Sequence, residues 1–456
     1  IQLGSTEAAQ VPNVRATQQA LFDGLVARST NGWPNVQRDA MSLVGKLGGR
    51  FMPPGFYYKT FMAPASMWMT YEKFIRKGAG LGRSPMERDP DSYDHFNQHC
   101  DMLVIGAGPA GLAAALTAAR GGVRVILCDE QEELGGSLLD SRELLDHQPA
   151  TRWVAQVLEE LTSLNNVTLL PRTTAHGYHD HHFVTLHERR TEHLGETAPV
   201  VDGIRSSRSR LHRVRAGQVL LATGAHERPL VYAGNDVPGN LVAGAVSTYI
   251  RRYGVVPGNK LVLSTSNDHA YRAALDWDEA GREVVAIVDA RQAPDGELVE
   301  QARARGIRII EGSAVLEAKG SARVSGARVA TIDASAFKVT GQAETLVCDT
   351  IATSGGYSPV IHLASHTGAR PTWNDELLGF VPSLVKGVHA AGSARGVHDL
   401  AAGLADGVSA ATKALDALGQ SAGSVELPQV DARREGKACA LYQVPHEKPT
   451  LRAPKQ

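Results

Sequence analysis

Apolar and polar positions change period several times along this chain. A short apolar run, Met102–Ile105, gives way to an Ala/Leu-rich stretch with helical spacing, Pro109–Arg120, and then to a second apolar run, Val123–Cys128. Short apolar runs on either side of a helix-length segment predict a β–α–β unit with parallel strands. Helical spacing returns over Trp153–Leu164, and Val167–Leu170 predicts a further strand. Phe183–Glu188 alternates as a half-exposed strand, paired in a hairpin or meander with Arg213–Arg215. Val219–Ala222 is an apolar strand that ends at Thr223-Gly224.

A second α/β rhythm follows. It predicts strands at Lys260–Leu263, Val284–Val288 and Ile307–Ile310, with helices at Ala270–Glu279 and Glu297–Arg305. Three β-type segments, Ala314–Ala318, Ala322–Val324 and Arg328–Ile332, precede a strand at Leu346–Thr353. Val388–Ala391 and the long periodic stretch Asp399–Leu418 give a last strand and helix. The pattern is that of an α/β chain with a Rossmann-type dinucleotide-binding domain over residues 100–245 plus 346–418. A second, smaller α/β domain over 246–345 interrupts it. Residues 1–99 lack this rhythm and form an N-terminal extension, with a helix expected over Met67–Gly78 in a Met-rich, aromatic stretch that would pack or contact a subunit. Residues 419–456 carry Pro, Arg and Lys without periodicity and are expected to be a linker. The start at Ile1 resembles the middle of a longer chain.

Composition narrows the function classes. With 47 basic and 48 acidic residues the formal net charge is -1, so no basic excess is present to hold nucleic acid or an anionic membrane. No apolar run is long enough to span a bilayer as a helix. The four cysteines, Cys100, Cys128, Cys348 and Cys439, form no C-x-x-C pair, which excludes a redox dithiol and a cysteine-rich zinc site. A reduced, cytoplasmic protein is expected. Six histidines between His176 and His193 fit no ligand spacing and are expected in a polar hairpin rather than at a metal.

The chemistry concentrates in Gly106-Ala107-Gly108-Pro109-Ala110-Gly111, a G-x-G-x-x-G that follows an apolar strand and opens a helix. Gly106 permits the tight turn, Gly108 leaves room for a pyrophosphate, and Gly111 allows close helix–strand packing, while the helix N-terminus faces the phosphates. Asp129, at the end of the second strand, is placed for ribose hydroxyls, with Glu130 the near alternative and Gln131 beside them. Gly136 and Ser137, Thr223 and Gly224, and Gly392 complete the candidate cofactor cradle. The motif reads the ADP half that NAD and FAD share, so both stay open on this ground. An acid at Asp129 disfavours a 2′-phosphate. No catalytic residue and no metal ligand is assigned.

These blocks, in this order, resemble the two-dinucleotide-domain flavoproteins related to glutathione reductase. Tyr57-Tyr58-Lys59-Thr60-Phe61, Tyr71-Glu72, Ala79-Gly80-Leu81-Gly82-Arg83, Asp129-Glu130-Gln131, Glu188-Arg189-Arg190-Thr191 and Gly234-Asn235-Asp236-Val237-Pro238-Gly239 are similar to the alpha subunits of heterotetrameric sarcosine oxidases. The resemblance implies a complex that oxidatively demethylates sarcosine to glycine, releasing hydrogen peroxide and formaldehyde or methylene-tetrahydrofolate. It further implies NAD in this chain (FAD being the alternative at the same site), FMN at the interface with a beta subunit, FAD within that subunit, and smaller subunits as partners. In that family a ferredoxin-like domain precedes this region and a folate-binding domain follows it. Other implied readings are a stand-alone FAD-dependent pyridine-nucleotide oxidoreductase and the equivalent subunit of an opine oxidase, proline dehydrogenase or hydrogen cyanide synthase. One departure matters: Ser264-Thr265-Ser266-Asn267-Asp268 stands where a working nicotinamide domain carries glycines, so the second site is expected to be degenerate.

Overall fold

The computed structural model describes residues 1–6, 10–30, 32–35, 38–40, 63–82, 84–89, 91–201, 204–335, 337–431 and 433–445. The chain divides into two units, one of Ile1–Phe96 with His187–Leu211 and one of Asn97–Leu186 with His212–Gln456. In the first, the expected helix is present as α1 (Trp68–Gly78), with Arg76 and Lys77 in its last turn. Positive charge there meets the negative end of the helix. Tyr71 and Glu72 lie on this helix, whereas Tyr57–Phe61 and Arg83 lie outside the described residues.

The nucleotide-binding architecture lies in the second unit, apart from the ends of three strands, Tyr93–Phe96, His187–Arg189 and Ser209–Leu211, that are counted with the first. Its first half runs β1 (Tyr93–Ile105), α2 (Pro109–Arg120), β2 (Val125–Cys128), α3 (Ala150–Ser163), β3 (Val167–Leu170), β4 (Thr173–His179), β5 (Phe183–Arg189) and β6 (Ser209–Leu221). Helix α2 forms where the sequence places it, because Pro109 supplies a preset φ at the first turn and the Ala run carries no β-branched crowding before Thr117. It stops at Gly121, whose N–H returns to the Thr117 carbonyl. The second half runs β7 (Ala225–Glu227), β8 (Asn240–Val242), α4 (Ala243–Tyr253), β9 (Lys260–Thr265), α5 (Tyr271–Glu279), β10 (Glu283–Asp289), α6 (Glu297–Ala304) and β11 (Ile309–Ile310). It continues through β12 (Ser313–Gly320), β13 (Val324–Asp333), β14 (Glu344–Leu346), β15 (Thr350–Ser354) and β16 (Tyr357–Pro359) to β17 (Val388–Ala390) and α7 (Leu400–Ala417).

The first sheet is ordered β3-β2-β1-β6-β5-β4, and β17 joins β6. The β1–β2, β2–β3 and β6–β17 pairs are parallel, with Ile105 opposite Cys128 and Val219 opposite Val388. The second sheet, β8-β15-β9-β10-β11, is parallel throughout. Strands β12, β13 and β14 form a separate antiparallel layer. This is a two-dinucleotide-binding fold. Several elements differ from the sequence reading: β1 begins at Tyr93 rather than Met102, Thr173–His179 is a strand and Ala243–Tyr253 a helix that the pattern did not announce, and Thr350–Ser354 pairs in the second sheet rather than the first. The apolar run Leu346–Thr353 concealed that switch, because Cys348 is buried at the break between β14 and β15.

Beyond Gly419 the described residues form no helix and no strand longer than single bridges, at Val430 and Gln443. They are nonetheless packed, with Leu441 and Val444 buried against the β12–β13 layer.

Candidate functional site

The turn from β1 into α2 is held from three directions. Gly106 has φ +100, and a Cβ there would lie 2.2 Å from the Ala222 carbonyl oxygen. At Gly111 a Cβ would lie 1.9 Å from the Gly106 carbonyl oxygen, so both glycines are demanded by the fold itself. Gly108 is different, since its added Cβ would meet only the Gly136 Cα, at 4.0 Å. Its missing side chain keeps the cleft open, not the fold intact. Asp129 closes the third side: its carboxylate accepts the Ala107 N–H at 2.7 Å and the Gln131 N–H at 2.8 Å.

A cleft of about 610 Å³ opens at this turn. Of the predicted cradle residues, Gly106, Gly108, Pro109, Ala110, Asp129, Glu130, Gln131, Gly136, Ser137, Thr223, Gly224 and Gly392 line it. Ala107 and Gly111 do not; the first is fully buried and the second serves helix packing. The N-terminus of α2 faces the cleft with unpaired N–H groups, as an anionic pyrophosphate requires. At Gly392, the N–H donates to Asp406 at 2.8 Å, and Asp406 also pairs with Arg395 at 2.8 Å. Helix α7, capped by Asp399 through the Ala402 N–H, thereby fixes the turn that borders the cleft.

The sequence reading missed another part of the lining. His226, His269, Arg272, Tyr357, His362 and His398 come from separate segments into the same cleft. The rings of His269, Tyr357 and His398 cluster, with centroids 5.5 Å apart for Tyr357 with each histidine. His269 Nε2 lies 3.2 Å from Glu435 Oε1. Burial, with His269 nearby, pushes the His398 imidazole down to about 4, so it is neutral at pH 7. Burial likewise raises the Tyr357 phenol, and the Glu227 carboxyl opposite it on β7 is raised by burial too. Glu435 is held below the usual carboxylate range by its hydrogen bond to His269. The neutral His398 imidazole and Tyr357 phenol, beside the His269–Glu435 pair, offer hydrogen-bond donors and acceptors to a polar ring. The signal available in sequence was positional: His226 follows Thr223-Gly224-Ala225, Tyr357 follows Gly355-Gly356, and His398 precedes a helix cap.

In the second domain the equivalent place is closed. Asp289, at the end of β10, is fully buried and bound by Arg291 at 2.7 Å and by the Tyr271 hydroxyl at 2.8 Å. The turn Ser266–Asp268 is buried as well. Among the described residues, no group of three or more His, Cys, Asp or Glu side chains could hold a metal ion, and no helix is long and apolar enough to cross a membrane. All four cysteines are free thiols.

Residues 100–416 match the family model described as pyridine nucleotide-disulphide oxidoreductase. The chain is 42% identical to a sarcosine oxidase subunit alpha from Rhizobium meliloti (strain 1021), over 95% of this chain and 42% of that protein. It is 41% identical to a protein of the same description from Corynebacterium sp. (strain P-1), over 75% of this chain and 35% of that one. The chain therefore spans less than half the length of these relatives. Among solved structures, an L-proline dehydrogenase from P. horikoshii superposes with a TM-score of 0.53 at 19% identity, covering 73% of this chain and 58% of the other. That likeness concerns the fold.

Proposed function

We propose that this chain, which belongs to the pyridine nucleotide-disulphide oxidoreductase family, is the dinucleotide-holding part of a sarcosine-oxidase-type alpha subunit. In this reading it binds NAD in the cleft at Gly106–Gly111 and scaffolds a flavin-containing beta subunit in which the amine is oxidised. The observation that carries the reading is an open nucleotide cradle beside a second domain whose strand ends are filled by its own side chains. A reductase that passes hydride from one bound dinucleotide to another needs both places open. Among the described residues, the first place opens on a cleft and the second is filled by buried side chains, which supports the reading. The similarity to sarcosine oxidase alpha subunits supports the choice of complex, and the free, largely buried thiols suit a reducing compartment such as the cytoplasm.

Residues of this chain would bind and orient the cofactor. The α2 N-terminus would meet the pyrophosphate, Glu130 and Asp129 the adenosine ribose, and His269, Tyr357 and His398 the far ring. FMN at a subunit interface and FAD in the beta subunit belong to the same proposal. Mass spectrometry of the nucleotide released on denaturing the purified chain tests it. NAD is the expected product. Release of FAD, together with rapid flavin reduction by NADH, would overturn the reading in favour of a self-sufficient reductase.

A further inference from the structure

In an open parallel sheet, nucleotides sit outside the carboxyl ends of the strands, where a strand turns into a helix. For the second domain that place is the turn Ser266–Ala270 between β9 and α5, flanked by Asp289 at the end of β10. A segment near the end of the chain lies across it. The Cys439 N–H donates to the Ser266 carbonyl at 2.9 Å, and the Gly436 N–H donates to Asp268 Oδ2 at 2.6 Å. The Arg434 carbonyl accepts the Glu297 N–H at 2.9 Å, at the start of α6. Arg291 pairs with Asp268 at 2.6 Å and with Asp289 at 2.7 Å, and its guanidinium reaches the Lys437 carbonyl at 3.5 Å.

Two further features set this segment apart from a casual surface strand. It is fastened on both sides of the cleft. Upstream, Gln429 exchanges hydrogen bonds with Asp146 of the first domain, at 3.0 Å through the backbone and 2.7 Å to the side chain. Downstream, Leu441 and Val444 are buried in the core of the second domain. The electrostatics also turn a pyrophosphate away: two buried carboxylates, Asp268 and Asp289, share one guanidinium, leaving a local excess of negative charge. Backbone N–H groups, which carry no charge to repel, satisfy that excess instead.

We propose that Arg433–Cys439 is an intrasteric occupant of the second dinucleotide cleft, lying where a pyridine nucleotide would lie and keeping that cleft closed in the working protein. The strap is a built-in ligand, and it ties the second domain to the first at Asp146.

Hydrogen–deuterium exchange on the full chain, read by mass spectrometry, tests this. Peptides covering Arg433–Cys439 are expected to exchange far more slowly than an unstructured segment. Gly436→Pro, which removes the N–H given to Asp268, is expected to speed exchange there at least about tenfold. Gly436→Ala, which keeps that N–H, is expected to leave it slow. Millimolar NADPH is expected to leave exchange in the Ser266–Tyr271 peptide unchanged, whatever it does at Gly106–Gly111. Exchange of the strap at the rate of a free peptide would overturn the proposal. So would NADPH-dependent protection of Ser266–Tyr271 in the unaltered chain, an outcome that can be read even where Gly436→Pro fails to fold.

Discussion

The carboxylate of Asp129 and the backbone of Ala107 are joined by a 2.7 Å hydrogen bond that ties the end of β2 to the glycine turn after β1. The acid at this strand end therefore shapes the phosphate-binding loop as well as facing the cleft. Asp129→Ala strands the N–H of buried Ala107, at about 1–3 kcal/mol for an unsatisfied buried donor, and leaves the exposed Gln131 N–H to water. The expected result is a lower melting temperature together with at least about tenfold weaker dinucleotide binding. Differential scanning calorimetry and isothermal titration with NAD measure the two. Asp129→Asn, which keeps an acceptor oxygen, is expected to fall between.

Two glycines of one motif are expected to fail in different ways. Gly108→Val leaves the fold standing, because only the Gly136 Cα is near its Cβ, but fills the pyrophosphate approach. Gly111→Ala drives a methyl group against the Gly106 carbonyl and lowers stability. Thermal denaturation should separate them, the first with a normal melting point and no bound nucleotide, the second with a depressed melting point.

The far-ring cluster has its own signature. If His269, Tyr357 and His398 meet the second ring of the dinucleotide, NAD binds more tightly than ADP-ribose by about tenfold, near 1.4 kcal/mol. His398→Ala with Tyr357→Phe is expected to abolish that margin while leaving ADP-ribose affinity unchanged. Equal affinities in the unaltered chain would place the ring elsewhere.

Acidification probes His398 directly. Its folded-state value, about 4, lies below the ordinary 6.5, so the unfolded chain binds the proton first. Its stabilising contribution is complete above about pH 6.5 and is lost as the pH falls toward 4. The loss is on the order of 1–3 kcal/mol for a group of this burial. Urea denaturation at pH 7 and pH 5 measures it, and His398→Gln is expected to flatten that part of the profile.

Arg291 holds two buried carboxylates at once. Arg291→Met leaves Asp268 and Asp289 without their cation, and breaking a buried pair in this way costs about 3–5 kcal/mol. Denaturant unfolding is expected to show the loss. The double change Arg291→Met with Asp289→Asn is expected to recover part of it.

What could be read from the sequence was what is local. The α2 boundaries are those the sequence predicts because a proline, an alanine run and a glycine turn all act within one stretch of chain. Of the predicted cradle residues, those between Gly106 and Ser137 that line the cleft follow from the same local stretch, whereas Thr223, Gly224 and Gly392 reach it from strand ends far along the chain. The histidine–tyrosine cluster was invisible because its members are bland one at a time and only the tertiary wiring brings them together. The long strand β6 was read as two pieces because its outer half alternates in exposure while its inner half is buried on both faces. A period of two cannot describe both.

The seat of α7 on α2 has a consequence for synthesis. A Cβ at Gly407 would lie 2.2 Å from the Ala110 carbonyl, so the two helices meet backbone to backbone at the mouth of the nucleotide cleft. Strand β17 and helix α7 thus complete a domain whose first strand was made nearly three hundred residues earlier. On the ribosome, the second domain must emerge before the first can close. The half-made first domain exposes the Ala face of α2 and one edge of β6 throughout that interval. For this chain, a chaperone able to cover an unfinished sheet edge has its moment of use between residues 221 and 388.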